Sequence, residues 1–356
     1  MVVIMKKLTS CLIILVVALS TVLSGCGGSD SSSKSGTTLN VYVWTEYVPE
    51  SVVEAFEKKT GIKVNLSTYS SNEDMLAKVK SESEGAYDVV QPSDYMVAQM
   101  IAQDMCEKLD KDKLTNIGNM EEAYMNPSYD PGNEYSIPYL GGAGAIAVNT
   151  DIIKDTITSY ADLFKPEYAN QLVVLDDFRA VIGMSAKSIG YGMNETDPTI
   201  LEEVKERTLS LKNNIKLYDS DSPKSALIAG DCALAYCWSA EVALAMEEND
   251  AIQVVYPEEG PYLFLDNWVI PKGSKNYDAA MEFINFMMDA ESAKMVGEEF
   301  PYLNPNKAGV ALLGDEFINN PAKNPPSDAI AKGEFVDNID TDSLAIYDQI
   351  WTELKK

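Results

Sequence analysis

The sequence predicts an α/β fold in two lobes with a ligand cleft between them. Three observations carry that expectation. Residues 39–90 follow a strand–helix–strand–helix–strand rhythm, and a second set of apolar strands and amphipathic helices runs over 172–256. Between them lies an apolar run bearing Gly141, Gly142 and Gly144, which reads as a passage from one lobe to the other, with small residues where backbones run close.

Each element has a local reason. Residues 39–43 make a short strand. Pro49 suits the first turn of a helix running to about Lys59, Gly61 suits its stop, and Val52, Val53 and Phe56 give it a buried side. Residues 62–69 alternate as a second strand, and Ser71 with Asp74 starts a second helix. Residues 87–90 form a third strand that ends in Pro92-Ser93-Asp94-Tyr95. In such mostly parallel sheets ligands sit beyond the carboxyl ends of strands, where the segments around Glu46 and Asp94 both fall. The second lobe is expected to hold strands at 172–175, 233–238 and 252–256 and helices at 181–190 and 201–211. A strand over 263–270 places Phe264, Asp266 and Trp268 on one face by two-residue alternation. Helices at 278–288 and 291–299 follow, then Tyr302. The predicted boundaries are 39–142 and 265–310 for the first lobe and 143–264 and 311–356 for the second, with chain crossings near 140–145 and 260–266. The glycines at 141–144 lack the strand, helix and lysine context of a nucleotide-binding loop.

Composition narrows the function. The 356-residue chain has 55 acidic and 28 basic residues and a formal net charge of −27, which disfavours nucleic acid and anionic lipid and favours cationic ligands. It has no histidine, which excludes histidine-based triads, general bases and metal ligands. No cofactor or metal is expected. Residues 1–25 read as an export signal: Lys6 and Lys7 precede an apolar stretch shorter than a membrane span. Leu23-Ser24-Gly25-Cys26 resembles the lipobox of bacterial lipoproteins, implying lipidation at Cys26, although a plain start anchor with a chance cysteine is the alternative. Residues 26–38 are Gly/Ser-rich and fit a flexible tether. Cys106, Cys232 and Cys237 do not demand a disulfide.

The most informative cluster is Trp44-Thr45-Glu46-Tyr47, an acid between two rings at a strand end. A carboxylate supplies charge, and ring faces supply quadrupole attraction and a dry wall, so the cluster suits an organic cation. Each residue also has a plainer reading: Glu46 as a helix cap, Trp44 and Trp238 as core, Ser93 as a turn residue, Tyr302 as helix-end packing. Asp266 is hardest to dismiss, because an unpaired charge in an apolar strand is expensive.

Trp44-Thr45-Glu46-Tyr47-Val48-Pro49, Thr60-Gly61-Ile62-Lys63-Val64, Ser70-Ser71-Asn72-Glu73, Gly85-Ala86-Tyr87-Asp88-Val89-Val90 and Tyr135-Ser136-Ile137-Pro138-Tyr139 occur in order. Together they make the chain resemble the spermidine/putrescine-binding proteins of bacterial ABC importers, over nearly all of 39–356. The resemblance implies a type II-like periplasmic-binding-protein fold, no catalysis, and a monomer that hands its ligand to an ABC permease in the membrane to which it is anchored. It implies ligand contacts at Trp44, Thr45, Glu46, Tyr47, Ser93 and Tyr95 from the first lobe, and at Asp177, Trp238, Phe264, Asp266 and Tyr302. Three positions depart from the family pattern: Ala180 for a glutamate, Phe264 for a tryptophan and Val336 for a glutamine. These losses leave fewer partners for a third nitrogen, so putrescine is expected to be favoured, or spermidine held in altered register, with Asp94 as a compensating acid. The rivals are a receptor for choline or betaine, whose quaternary nitrogen has no N–H to give three separated carboxylates, and a secreted hydrolase using two of Glu46, Asp177 and Asp266.

Overall fold

The computed structural model describes residues 36–356. The segment expected to be an export signal, Cys26 and most of the expected tether lie outside the described residues. Among the described residues no helix is long and apolar enough to cross a membrane.

The chain begins with β1 (Thr38–Trp44), α1 (Glu50–Thr60), β2 (Lys63–Tyr69), α2 (Asn72–Ser81), β3 (Val89–Val90) and α3 (Asp94–Ala102). Their boundaries follow local chemistry. Gly61 ends α1 in the left-handed region, φ 76°, and donates its N–H to Glu57 O. Ser71 caps α2 by accepting from Asp74 N at 3.1 Å. β1 pairs in parallel with both β2 and β3. Then comes β4 (Ser136–Asn149), fourteen residues, all buried.

The second set comprises β5 (Leu172–Val174), α4 (Phe178–Lys187), α5 (Pro198–Ser210), β6 (Ile215–Tyr218), α6 (Lys224–Ile228), β7 (Leu234–Trp238), α7 (Ser239–Glu248) and β8 (Ile252–Val255). α4 starts earlier than its apolar run suggests, because Asp177 caps it by accepting Ala180 N at 3.0 Å. β9 (Tyr262–Val269) returns, followed by α8 (Tyr277–Met287), α9 (Ala290–Glu299), α10 (Lys307–Leu313), α11 (Asp315–Asn319), α12 (Ser327–Lys332), β10 (Glu334–Phe335) and α13 (Thr341–Lys355).

The strands run in the order β2-β1-β3-β9-β4-β7-β5-β6, with β10 on β9 and β8 on β4. The outer strands of each half are parallel, as predicted, but the seam is not. β9 is antiparallel to β3 and β4, and β4 is antiparallel to β7 and β8. This corrects the expectation of two mostly parallel sheets. β4 and β9 carry the chain from one half to the other and back, so they meet their neighbours head to tail instead of through helical crossovers. β4 pairs with β9 up to Ala143 and with β7 from Gly144. A Cβ on Gly142 would lie 2.9 Å from the Phe264 ring, so the missing side chain is what lets that ring pack against the seam. Cys106, Cys232 and Cys237 are buried free thiols.

The turn into β9 leaves no room for a side chain at Gly260. Gly260 has φ 89°, and a Cβ there would stand 1.9 Å from the Lys332 carbonyl oxygen. Gly260→Ala is expected to cost roughly 2 kcal/mol or more, through strain and displacement of the α12–β10 connection. Chemical denaturation checks this; an unchanged midpoint would refute the account.

Candidate functional site

At the seam, strand ends from both halves converge on a cavity holding about 590 Å³ of empty space, its mouth included. The first half contributes Trp44, Thr45, Tyr47, Ser70, Asn72 and Ser93, and the second contributes Asp177, Ser220, Asp221 and Trp238. Tyr262, Phe264 and Asp266 enter from β9, and Tyr302 from the segment after α9.

Asp266 is the centre of the arrangement. It is 3% exposed. Ser93 lies opposite it in an antiparallel bridge, and its hydroxyl donates to Asp266 Oδ1 at 2.5 Å. The Tyr47 hydroxyl donates to Oδ2 at 2.7 Å. Each donor is itself held. Asn72 Nδ2 donates to Ser93 Oγ at 3.0 Å, and the Tyr139 hydroxyl donates to the Tyr47 carbonyl at 2.9 Å. Tyr47 reaches β9 because Glu46 before it takes a left-handed turn, φ 50°. Burial pushes the Asp266 carboxyl up to about 7, against the opposing pull of the Ser93 and Tyr47 hydrogen bonds. Among the described residues no lysine or arginine forms an ion pair with it.

Six aromatic residues wall the cavity, Trp44, Tyr47, Trp238, Tyr262, Phe264 and Tyr302. Trp238 meets Phe264 edge-on at 5.0 Å and Tyr262 at 5.5 Å, Phe264 meets Tyr302 at 6.1 Å, and Tyr302 meets Tyr47 at 4.8 Å. Edge-to-face contacts of this kind fix ring orientation and leave faces available. Among the described residues the buried Trp44 indole N–H has no partner within hydrogen-bond distance, although it is near enough to help hold the Asp266 carboxyl down.

Asp177 lines the cavity and caps α4 at once. Burial raises its carboxyl, opposed by the Ala180 N–H and by Arg179. Asp176 is exposed and pairs with Lys355. Arg179 is buried; its guanidinium lies 5.8 Å from the Tyr95 ring and 5.4 Å from the Tyr347 ring.

Of the predicted contacts, nine line the cavity: Trp44, Thr45, Tyr47, Ser93, Asp177, Trp238, Phe264, Asp266 and Tyr302. Three do not, for identifiable reasons. Glu46 is exposed at its left-handed turn and its carboxylate pairs with Lys224 at 2.9 Å. Tyr95 turns its hydroxyl to Glu73 Oε1 at 2.9 Å. Asp94 is buried behind the site, accepting Tyr95 N at 2.7 Å and Leu265 N at 3.2 Å, so it does not compensate there for a lost acid. Ala180 and Val336 are buried and off the lining.

The reading missed Ser70, Asn72, Ser220, Asp221 and Tyr262. Ser70 and Asn72 follow the carboxyl end of β2, and extending the two-residue alternation of β9 back from Phe264 finds Tyr262. Ser220 and Asp221 follow β6, a strand too polar at Lys216 to stand out.

The sequence profile of the bacterial extracellular solute-binding protein family matches residues 51–326. The chain belongs to that family. It is 41% identical over 330 residues to the spermidine/putrescine-binding periplasmic protein of Salmonella typhimurium, covering 92% of this chain and 94% of that one. A solved structure from Listeria monocytogenes superposes with a TM-score of 0.86 at 33% identity, covering 90% of this chain and 99% of that chain. The spermidine/putrescine ABC transporter substrate-binding protein of Streptococcus pneumoniae gives 0.76 at 33% identity, over 90% and 99%. Within the family, the chain belongs with the spermidine/putrescine-binding proteins of ABC importers. Its two-lobed α/β architecture is that of periplasmic-binding proteins, and family and fold are those of extracytoplasmic transport receptors, not of enzymes.

The raised Asp266 carboxyl has a measurable consequence. Its folded value lies above the unfolded one, so its contribution to stability is full below about pH 4 and is lost as pH rises through about 7. Asp266→Asn is therefore expected to flatten the decline in stability of the unliganded protein between pH 5 and 8, by an amount on the order of a few kcal/mol. Denaturant melts at both pH values check it; an unaltered slope would show that Asp266 does not titrate in this range.

Proposed function

We propose that this protein captures a linear aliphatic polyamine in the seam cavity, favouring putrescine over spermidine, and delivers it as a monomer to an ABC permease while anchored through Cys26. The observation that carries the reading is Asp266. It is a buried carboxylate with both oxygens oriented by hydroxyls, no paired cation among the described residues, and a wall of rings beside it. A primary ammonium satisfies all three conditions. It neutralises the charge, donates short charge-assisted hydrogen bonds, and carries methylenes that pack on aromatic faces. Asp177 across the cavity offers a second carboxylate for the other end of a diamine. In this reading 39–142 with 265–310 and 143–264 with 311–356 are the two lobes that close on the ligand.

The approach is electrostatic. Beside the cavity, and sharing Ser70, Asp177, Ser220 and Asp221 with it, opens a groove that also carries Glu73, Asp74, Asp176, Asp219 and Asp348. Carboxylates gathered around a cleft raise the local concentration of a dication and steer its entry. The association rate is accordingly expected to fall steeply with ionic strength, and stopped-flow binding in rising salt measures it. A salt-independent rate would remove steering from the account.

Calorimetric titration with putrescine and spermidine is the direct test. Putrescine is expected to bind more tightly, and Asp266→Asn to weaken it by about a hundredfold, the scale of a lost charge-assisted contact in a dry site. Tighter spermidine binding would overturn the preference, and no binding of either amine would overturn the polyamine reading.

A further inference from the structure

Lys224 opens α6, three residues beyond the cavity-lining Asp221. Its ammonium lies 2.9 Å from Glu46 Oε2 and 2.9 Å from Glu241 Oε2, with Glu241 Oε1 at 3.2 Å. The partners come from both halves. Glu46 sits in the turn after β1, between the lining residues Thr45 and Tyr47, whereas Glu241 is on α7. Glu241 and Lys224 are largely out of water, with side chains 4% and 19% exposed. Burial works against the Lys224 charge, but Glu241 and Glu46 outweigh it and hold the ammonium above the ordinary lysine value.

Stability alone accounts poorly for this cluster. A buried ion pair gains little over apolar packing once desolvation is counted, and an exposed partner such as Glu46 adds little more. Chemically, Lys224 is a primary ammonium on a four-carbon arm. It does not line the cavity itself, but it follows the lining residues Ser220 and Asp221 in the chain and engages the one carboxylate of the Trp44-Thr45-Glu46-Tyr47 cluster, next to the lining residue Thr45. The three carboxylates that line the cavity, Asp177, Asp221 and Asp266, have no such ion pair among the described residues, Asp221 instead accepting from Ser70 Oγ.

We infer that Lys224 is a specificity-determining residue: its ammonium fills the position at Glu46 that a further ammonium of a longer polyamine would take, and so restricts the cavity to ligands with two. A third ligand ammonium drawn to this end meets a fixed like charge and finds Glu46 already neutralised. The inference rests on the polyamine reading and adds to it which side of the cavity sets ligand length.

The test is calorimetric titration of putrescine and spermidine against the wild-type protein, Lys224→Met, and Lys224→Met combined with Glu241→Gln. The double variant removes the buried carboxylate that the single one leaves unpaired, and thermal melts verify that each variant folds. In both, affinity for spermidine relative to putrescine is expected to rise about tenfold or more, the ratio commanded by one charge-assisted hydrogen bond. A ratio within about twofold of wild type, or both affinities moving in parallel, would mean that Lys224 is merely a clasp between the halves, and overturns the inference. Wild-type protein that already binds spermidine more tightly than putrescine overturns it too. Wild-type protein that binds neither amine overturns the polyamine reading, and the inference with it. Binding of putrescine with an unmoved ratio overturns the inference alone.

Discussion

The structure turns on the seating of a single carboxylate. Asp266 lies on β9, where every residue is buried, and a charge there is tolerable only if polar groups meet it. Two hydroxyls do so, from Tyr47 and Ser93, and both stand at carboxyl ends of the first half's strands. Behind them Asn72 and the Tyr139 hydroxyl hold the donors in place. The requirement to solvate one group thus ties the turn after β1, the start of α2, the start of α3 and the β4–β9 ladder to one point. Among the described residues no lysine or arginine pairs with the carboxylate at this point.

The seam explains how such a point is shared by two halves. Antiparallel β4 and β9 run through both, so the side chains of β9 project toward the carboxyl ends of parallel strands from either side. Contacts farther out are weaker and polar. Ser70 Oγ donates to Asp221 Oδ1 at 2.9 Å, and Glu46 meets Lys224 across the same gap. Exposed contacts of this kind contribute little stability. The strong interactions are within each half and along the seam.

Charge is distributed unevenly around this geometry. Burial raises the carboxyls of Asp94, Asp177, Asp266, Glu73 and Glu241, so the heart of the protein is short of positive charge relative to its acids. Arg179 acts on Glu73 and Asp177 and Lys224 on Glu241, and among the described residues neither forms an ion pair with Asp266.

The sequence alone determined the parallel strands of each half, because apolar alternation and capping residues such as Ser71 and Gly61 act on near neighbours. It also identified Asp266, since an acid inside an apolar strand announces a constraint without any knowledge of its partners. Nine cavity residues were legible through strand ends and family motifs taken together. The tertiary structure alone decided the rest. The antiparallel seam depends on how β4 and β9 return, which no local period encodes. Asp94 was diverted to backbone N–H groups because α3 begins at that residue, and Tyr95 to Glu73 because α2 lies beside it. Glu46 was expected to face the ligand; its partner is Lys224, 178 positions away in sequence. A charged side chain on a turn goes where the opposite charge stands, and only the packing of distant segments places that charge.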